Sequence, residues 1–286
     1  MRRPCSGCGK RPAPGAARAA SLTLSSCCCC GSTSIRSKAE PAPSRGGANM
    51  RKRGRTARRI KKLLWRVHVP HWVDNHGVLL PTEGAGISAG IRKQIFFSEY
   101  EDKEIEIVAK RLSPDDVVME VGAGIGFLSA YCARQIGSER VFAYEANPAL
   151  MDLIAATHKA NGVAPQVRNV LLARGEGERE FHVEPEFWAS SSVQGSDSAR
   201  TIRVPQADLN AELRRVRPTF LIVDIEGGEV EFFETADLAG VRKICVETHP
   251  AIHSSATLSK LLGGLIAQGF ALDFSLMRKH VLFLSR

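Results

Sequence analysis

Seven titratable side chains stand in or just after four apolar runs. Glu120 lies within VVMEVGAGIG (Val117 to Gly126), Glu145 closes VFAYE, Asp224, Glu226 and Glu229 follow FLIV, and Glu247 and His249 belong to ICVETHP. Carboxylates in this number bind hydroxyls or a cation, and with a histidine beside them they move protons. In an open α/β sheet the ligand lies outside the carboxyl ends of the strands. If the four runs are strands of one sheet, all of this chemistry falls on a single rim.

Glycines set the first run apart. Gly122, Gly124 and Gly126 give G-x-G-x-G after Glu120, whereas the dinucleotide fingerprint G-x-G-x-x-G wants its last glycine at position 127, which is Phe127. Glycine lets backbone pass close to a ligand and adopt positive φ without a Cβ clash. A plain tight turn would use the same residues. Here a β-branched run precedes the turn, a helical pattern (IGFLSAYCARQI) follows it and Glu145 closes the next run, which together indicate a site for an adenosine-type ligand. Glu145 does not choose the ligand, because a carboxylate on ribose hydroxyls serves nicotinamide and S-adenosylmethionine sites alike.

The elements that must position these residues alternate. Residues 67–97 mix Pro, Gly and short apolar runs, as short strands or loops covering a core would. From Glu99 to Leu112, the residues Ile105, Val108, Ala109 and Leu112 share one face of an amphipathic helix, and Ser113-Pro114-Asp115-Asp116 turns the chain into the first strand. Strands are expected at about 117–121 and 140–145, along QVRNVLLA, and at Glu178–Val183, Thr219–Asp224 and Lys243–Glu247. Helices are expected at about 125–137, at Pro148–Asn161 with proline in its favoured first position, and at Ala207–Val216, Glu229–Thr235 and Thr257–Gln268. PEFWASSSVQGSDSA reads as a polar loop with an aromatic anchor. FALDF and HVLFLS are close enough to pair antiparallel across Ser275–Lys279. The alternation gives an α/β fold: a mostly parallel sheet, helices on both faces, right-handed crossovers and a C-terminal hairpin at one edge.

Charge divides the chain. Of its 39 Lys and Arg and 30 Asp and Glu, residues 1–66 hold 17 and one, the latter Glu40. The arm therefore carries about +16, and the 22 basic and 29 acidic residues that remain leave the rest near −7. The positive balance belongs to the arm and does not mark the whole protein as a nucleic-acid binder. The expected organisation is a disordered basic arm over 1–66 and a domain over 67–286, with 67–112 as lead-in and N-terminal helix and 113–286 as the core. The first 49 residues bury too little apolar surface to offset the entropy of ordering.

Six of the eight cysteines, Cys5, Cys8 and Cys27 to Cys30, fall in the arm. Cys5 and Cys8 have zinc-knuckle spacing but no second pair, and the run of four suits acylation or has no role. Cys132 and Cys245 read as buried thiols, so a reducing, cytoplasmic setting is expected. No run reaches the ~18 apolar residues that span a bilayer. RKRGRTARRIKKLLWR (Arg51 to Arg66) places Ile60, Leu63, Leu64 and Trp65 at helical spacing. An anionic membrane, a nucleic acid or a targeting receptor would take such a stretch, but the favoured reading is a solvated arm whose apolar end docks on its own domain. Met50, just before it, is a candidate translation start.

EVGAGIGF, VFAYEANP, Ser190 to Ser192, VPQADLNAEL, FLIVDIEGGEVEFFE and CVETHP, in that order, resemble the FkbM family of S-adenosylmethionine-dependent methyltransferases, over roughly Ile91 to Ser254. The resemblance implies a class I methyltransferase fold, a Rossmann-like three-layer sandwich on a seven-stranded sheet with an antiparallel C-terminal hairpin. It implies that Glu120, Gly122, Gly124 and Gly126 line the methionine and ribose side of S-adenosylmethionine, that Glu145 accepts from the ribose hydroxyls, and that Asn147 and Asn169 stand near the adenosine. Asp224 and Glu226 would stand where methyl donor meets acceptor. Two departures are visible: Ala123-Gly124-Ile125 where the family often has Ala-Asn-Ile, and Asn210 after Leu209 where it often has Asp.

Methyl transfer needs the acceptor atom in line with the carbon–sulfur bond, so positioning supplies much of the rate. An acidic rim suits a sulfonium, but carboxylates too close to sulfur would stabilise the ground state as much as the transition state. A hydroxyl acceptor needs a general base; His249 is one candidate, and Asp224 and Glu226 are the others. Glu229 suits a helix N-terminus, Gly227-Gly228 aims Glu226 at the crevice, and His158 and His253 read as surface residues. Asp224, Glu226 and Glu247 have the oxygens a divalent ion wants, but pairing with Arg or Lys explains them equally, and no metal is expected.

The leading reading is an O-methyltransferase whose partner is a small-molecule or glycan acceptor, a sugar or natural-product hydroxyl. An RNA or protein acceptor is an alternative, although the arm lacks interleaved aromatics beyond Trp65 and no Asn-Pro-Pro-Tyr type motif follows the fourth strand. A non-catalytic cofactor-binding protein is another. A nicotinamide oxidoreductase is disfavoured by Phe127 and by the lack of a Tyr-x-x-x-Lys pair. The acceptor pocket is expected from residues 67–97 and 184–200.

Overall fold

The computed structural model describes residues 61–183 and 200–286; most of the Cys-rich basic arm and the polar loop after Val183 lie outside the described residues. The chain begins there with a helix over residues 61–67 (α1), then strands β1 (Trp72–Asn75) and β2 (Val78–Pro81) and helices α2 (Ala89–Phe97) and α3 (Asp102–Arg111). The alternating core follows: β3 (Val118–Val121), α4 (Phe127–Ile136), β4 (Val141–Tyr144), α5 (Met151–Ala160), β5 (Gln166–Arg168) and β6 (Leu171–Ala173). Next come β7 (Gly177–Val183), β8 (Arg200–Asp208), α6 (Leu209–Val216), β9 (Phe220–Val223), α7 (Glu229–Thr235) and β10 (Lys243–Glu247). Helix α8 (Ser255–Ala267) and strands β11 (Ala271–Leu272) and β12 (Val281–Ser285) end the chain.

Seven strands form the central sheet in the order β11-β12-β10-β9-β3-β4-β5. Strands β10, β9, β3, β4 and β5 are parallel, and β12 runs antiparallel between β10 and β11. Side-chain alternation divides the core into two layers. Val118, Phe220, Ile222, Cys245 and Phe283 pack with α2 to α5, whereas Met119, Leu221, Val223, Ile244 and Leu284 pack with α6 to α8. Both Cys132 and Cys245 are buried free thiols. Among the described residues no helix is long and apolar enough to cross a membrane.

One buried carboxylate ties three strands together at the edge opposite the rim. Asp116 accepts from Thr219 Oγ1 at 2.9 Å, from Lys243 Nζ at 2.6 Å, from Arg242 at 3.3 Å and from the Ser113 N–H at 2.8 Å. The starts of β3, β9 and β10 are thereby held to one point.

Three expectations are corrected. QVRNVLLA is not one strand: β5 extends the central sheet, β6 joins a second sheet of order β6-β8-β7, and between them Asn169 donates to the carbonyls of Glu145 and Ala146 at 2.7 and 3.2 Å. The residues before α6 are a nine-residue strand, β8, paired along its length with β7, so the helix begins at Leu209 and not at Ala207. Residues 89–97 are a helix, capped by Ser88, whose side chain accepts from the Ile91 N–H. Trp65 on α1 packs against Phe96 and Phe97 on α2, with ring centroids 5.3 and 6.0 Å apart.

Candidate active site

The turn after β3 folds tightly because its glycines permit it. Gly122, Gly124 and Gly126 all have positive φ, at +87°, +55° and +80°. A Cβ on Gly122 would overlap the Asp224 carbonyl oxygen, and one on Gly124 would sit 2.6 Å from the Tyr100 hydroxyl. The turn is thus walled by the end of β9 on one side and by the segment before α3 on the other.

Glu145 sits at the end of β4 with both oxygens engaged by backbone: Oε2 accepts from the Gly124 N–H at 2.9 Å and Oε1 from the Asn147 N–H at 2.7 Å. Each oxygen keeps a lone pair for a further donor. Asn147 caps the turn that follows, its side chain accepting from the Ala149 N–H at 3.1 Å. Glu120 points the other way, into the α4 and α5 layer, where burial pushes it up to about 8 against hydrogen bonds from Ser129. His158, expected at the surface, is buried in that layer, with Nε2 3.0 Å from Ser129 Oγ. Burial pushes the imidazole down to about 4 and keeps it neutral. His253 is also largely covered, its Nε2 2.8 Å from the Gly227 carbonyl.

At the ends of β9 and β10 the structure brings Asp224, Glu226 and His249 together. His249 Nε2 lies 3.1 Å from Glu226 Oε2 and 3.8 Å from Asp224 Oδ1. Its backbone N–H donates to Glu229 Oε1 at 2.9 Å, and that oxygen is 3.4 Å from Nδ1. The Gly227 N–H also points at Nδ1, at 3.3 Å. These two Nδ1 contacts belong to different charge states: the neutral ring accepts from Gly227, the imidazolium donates to Glu229. Burial disfavours the imidazolium, but the Glu229 hydrogen bond and the charges of Glu226 and Glu229 outweigh it and raise the pKa. Glu226 itself holds φ +34°, a left-handed conformation rare outside glycine and characteristic of strained functional positions. Ligand atoms of Asp224, Glu247 and His249 also lie within 4.8 Å of one another, a spacing open to a divalent ion, although Glu226 already engages the imidazole.

These groups border a cavity of about 320 Å³ over the strand ends. Of the predicted residues, Gly122, Gly124, Glu145, Asp224 and Glu226 line it; Glu120, Gly126, Asn147, Asn169 and His249 do not. Sequence reasoning missed Tyr100, Glu101 and Glu104, and also Arg179, which makes a double hydrogen bond to Glu231 at 2.7 Å. The signal for the first three was their place directly before and within the amphipathic helix leading into β3.

Burial is the largest cause that pushes Glu120 up to about 8, and Glu104, Glu145 and Glu226 up to about 7. Between the ordinary carboxylate range and those values the folded protein holds protons that the unfolded chain has released. Their contribution is present in full at acid pH and is lost as pH rises through 7 to 8. Glu106 and Glu212, held down at about 2 by Arg and Lys partners, act only at lower pH. In thermal scans of the unliganded protein, Tm is expected to fall from about pH 6 to about pH 8.5. A flat or rising Tm would show these carboxylates already ionised.

A parallel sheet with one late antiparallel strand, a glycine turn after β3 and a carboxylate closing β4 define the class I S-adenosylmethionine-dependent methyltransferase fold. The model of the FkbM methyltransferase domain matches residues 120–265, just over half of the chain, and the chain belongs to that family. Its cofactor is S-adenosylmethionine. Solved structures with a similar fold include the ribosomal protein L11 methylase of Lactobacillus delbrueckii subsp. bulgaricus, 11% identical, with a TM-score of 0.41 over 66% of this chain and 78% of that one. Another is the magnesium protoporphyrin IX methyltransferase of Synechocystis PCC 6803 with bound S-adenosylmethionine, 15% identical, with a TM-score of 0.37 over 72% and 88%. Likenesses this distant say nothing about the acceptor. No curated protein sequence matches the chain.

Proposed function

We propose that the protein methylates a hydroxyl of a sugar or small natural product, with Glu226 as the general base. The observation that carries this reading is the position of Glu226: it faces the cavity beside the glycine turn, and an imidazole lies 3.1 Å behind it. Burial raises its carboxyl and the charge of His249 lowers it, with the balance at about 7, suited to accepting a proton near neutral pH.

The cavity fits the cofactor in two respects. Glu145 offers the free lone pairs of a carboxylate already oriented by two N–H groups, matching a pair of ribose hydroxyls. The bare glycines open the space over β3, and Leu150, Val170 and Leu171 supply an apolar wall for the adenine. S-adenosylmethionine supplies an electrophilic methyl group on a sulfonium. Burial and then the charges of Glu247 and Glu226 push Asp224 well above the usual carboxylate range, which favours its protonated form and limits its pull on the ground state. Glu226 takes the hydroxyl proton as the acceptor oxygen attacks, and His249, backed by Glu229, balances the charge of the ionised base.

Calorimetric titration of the full chain with S-adenosylhomocysteine and with NADH tests the reading. Binding of the former alone is expected, and Glu145→Ala is expected to weaken it about 10- to 100-fold, the worth of hydrogen bonds to a charged group. A folded protein that ignores S-adenosylhomocysteine, or one that prefers NADH, would end it.

A further inference from the structure

Helix α1 meets its own domain along one side only. Trp65 packs on Phe96 and Phe97, and Lys61 donates to Ser98 Oγ at 3.3 Å, its ammonium 5.8 Å from the centre of the Phe96 ring. At about 100° per residue, Lys61 and Trp65 share a face while Leu63, Leu64 and Val67 gather on the far side. Those three are 63%, 50% and 77% exposed, and Lys62 and Arg66, also exposed, stand between the two faces. Docking of the helix thus uses Trp65 and leaves the other apolar side chains in water. A contiguous apolar stripe rimmed by charge marks a surface that something else covers.

Charge narrows the choice of cover. Arg51 to Arg66 holds nine Lys and Arg and no acid. A second copy would bring the same nine charges against these, and residues 1–50 add eight more against one acid, Glu40. Neither complements the stripe. A nucleic acid would match the charge but gain little from Leu63, Leu64 and Val67. Trp65, the one aromatic ring of the stretch, is already packed and is not free to stack on a base. A protein groove that wraps a helix needs more of its circumference than α1 has free. A flat anionic surface with an apolar interior takes the single stripe and the basic flank together.

We propose that α1 seats this protein on an anionic lipid bilayer. Leu63, Leu64 and Val67 enter the boundary between headgroups and acyl chains, and the basic run from Arg51 to Arg66 supplies the charge that the headgroups attract. Because Lys61 and Trp65 hold the helix to the domain, the domain is carried to the surface along with it. A weak apolar anchor and a basic cluster act as paired signals, each insufficient by itself. The inference is independent of the methyl-transfer reading.

The test is co-sedimentation of the full chain with vesicles of phosphatidylcholine alone and with about 30% phosphatidylserine added. Binding to the anionic vesicles is expected to exceed binding to the neutral ones at least about tenfold, and to weaken as salt rises. The triple variant Leu63→Ser, Leu64→Ser, Val67→Ser keeps every charge and is expected to bind anionic vesicles at least about tenfold less well. Its Tm should stay within about two degrees of wild type, because all three side chains are exposed. Val67→Ser alone, at the most exposed of the three, should act in the same direction by about threefold. Anionic vesicles bound equally by wild type and both variants would overturn the proposal, leaving only charge attraction by the arm. Binding to a single-stranded RNA without binding to vesicles would overturn it in favour of a nucleic acid. Concentration-dependent self-association that the triple variant abolishes, again without vesicle binding, would overturn it in favour of a second copy.

Discussion

Gly122→Ala is expected to abolish S-adenosylhomocysteine binding and to lower Tm by several degrees. The added Cβ would overlap the carbonyl oxygen of Asp224 and lie 2.8 Å from its carbonyl carbon. That backbone cannot yield, because the Asp224 N–H donates to the Val121 carbonyl at 2.9 Å and β9 is paired on both sides. Overpacking costs about 1–3 kcal/mol, and the left-handed φ adds ~1–2 kcal/mol for a residue with a Cβ. Gly162→Ala is the control: its φ is +65°, but nothing lies within 4 Å of the new atom, so only the conformational cost applies. Thermal denaturation and calorimetry of both variants decide the matter. Wild-type affinity in Gly122→Ala would show that the turn is not the cradle of the cofactor.

Glu226→Gln is expected to reduce kcat about 10²- to 10⁴-fold on the acceptor that proves active, the usual contribution of a positioned base. S-adenosylhomocysteine affinity should change little, since the substitution keeps the shape and the left-handed backbone. His249→Gln separates base from support. His249 lowers the Glu226 pKa, so its loss should move the acid limb of the pH–rate profile to higher pH. Kinetics that ignore Glu226→Gln but collapse in His249→Gln would make the imidazole the base.

The rim was legible because strand, glycine and carboxylate occur together in short runs. Glu145, Asp224 and Glu226 reach the cavity as their positions after apolar strands required. Glu120 does not, for a reason the strand period contains: it shares a face with Val118, whereas Met119 and Val121 face the other layer. His158 could have been found the same way, being four residues after the buried Ile154 on α5. The second sheet was hidden. β8 buries only Val204 and Ala207 and carries Pro205, so it shows neither clean alternation nor a continuous apolar run. The break in QVRNVLLA depends on Asn169 reaching the carbonyls after β4, a tertiary contact invisible in local pattern. Helix α2 was obscured by the Gly and Pro around it, although Ser88 followed by Ile91 and Ile95 has the form of a cap and an apolar face.

Asp116 fastens β3, β9 and β10 where they begin, while Glu120, Asp224 and Glu247 lie at or just past where they finish. Strands this short act as stiff spokes from a common hub, so Glu226 and the glycine turn keep their spacing whatever covers them. If the acceptor occupies the proposed cavity, whose lining includes residues of the α2–α3 segment and the second sheet, its identity can change through those pieces without moving the strand ends. A chimera exchanging only those covering pieces would inherit the chemistry intact and the choice of acceptor anew.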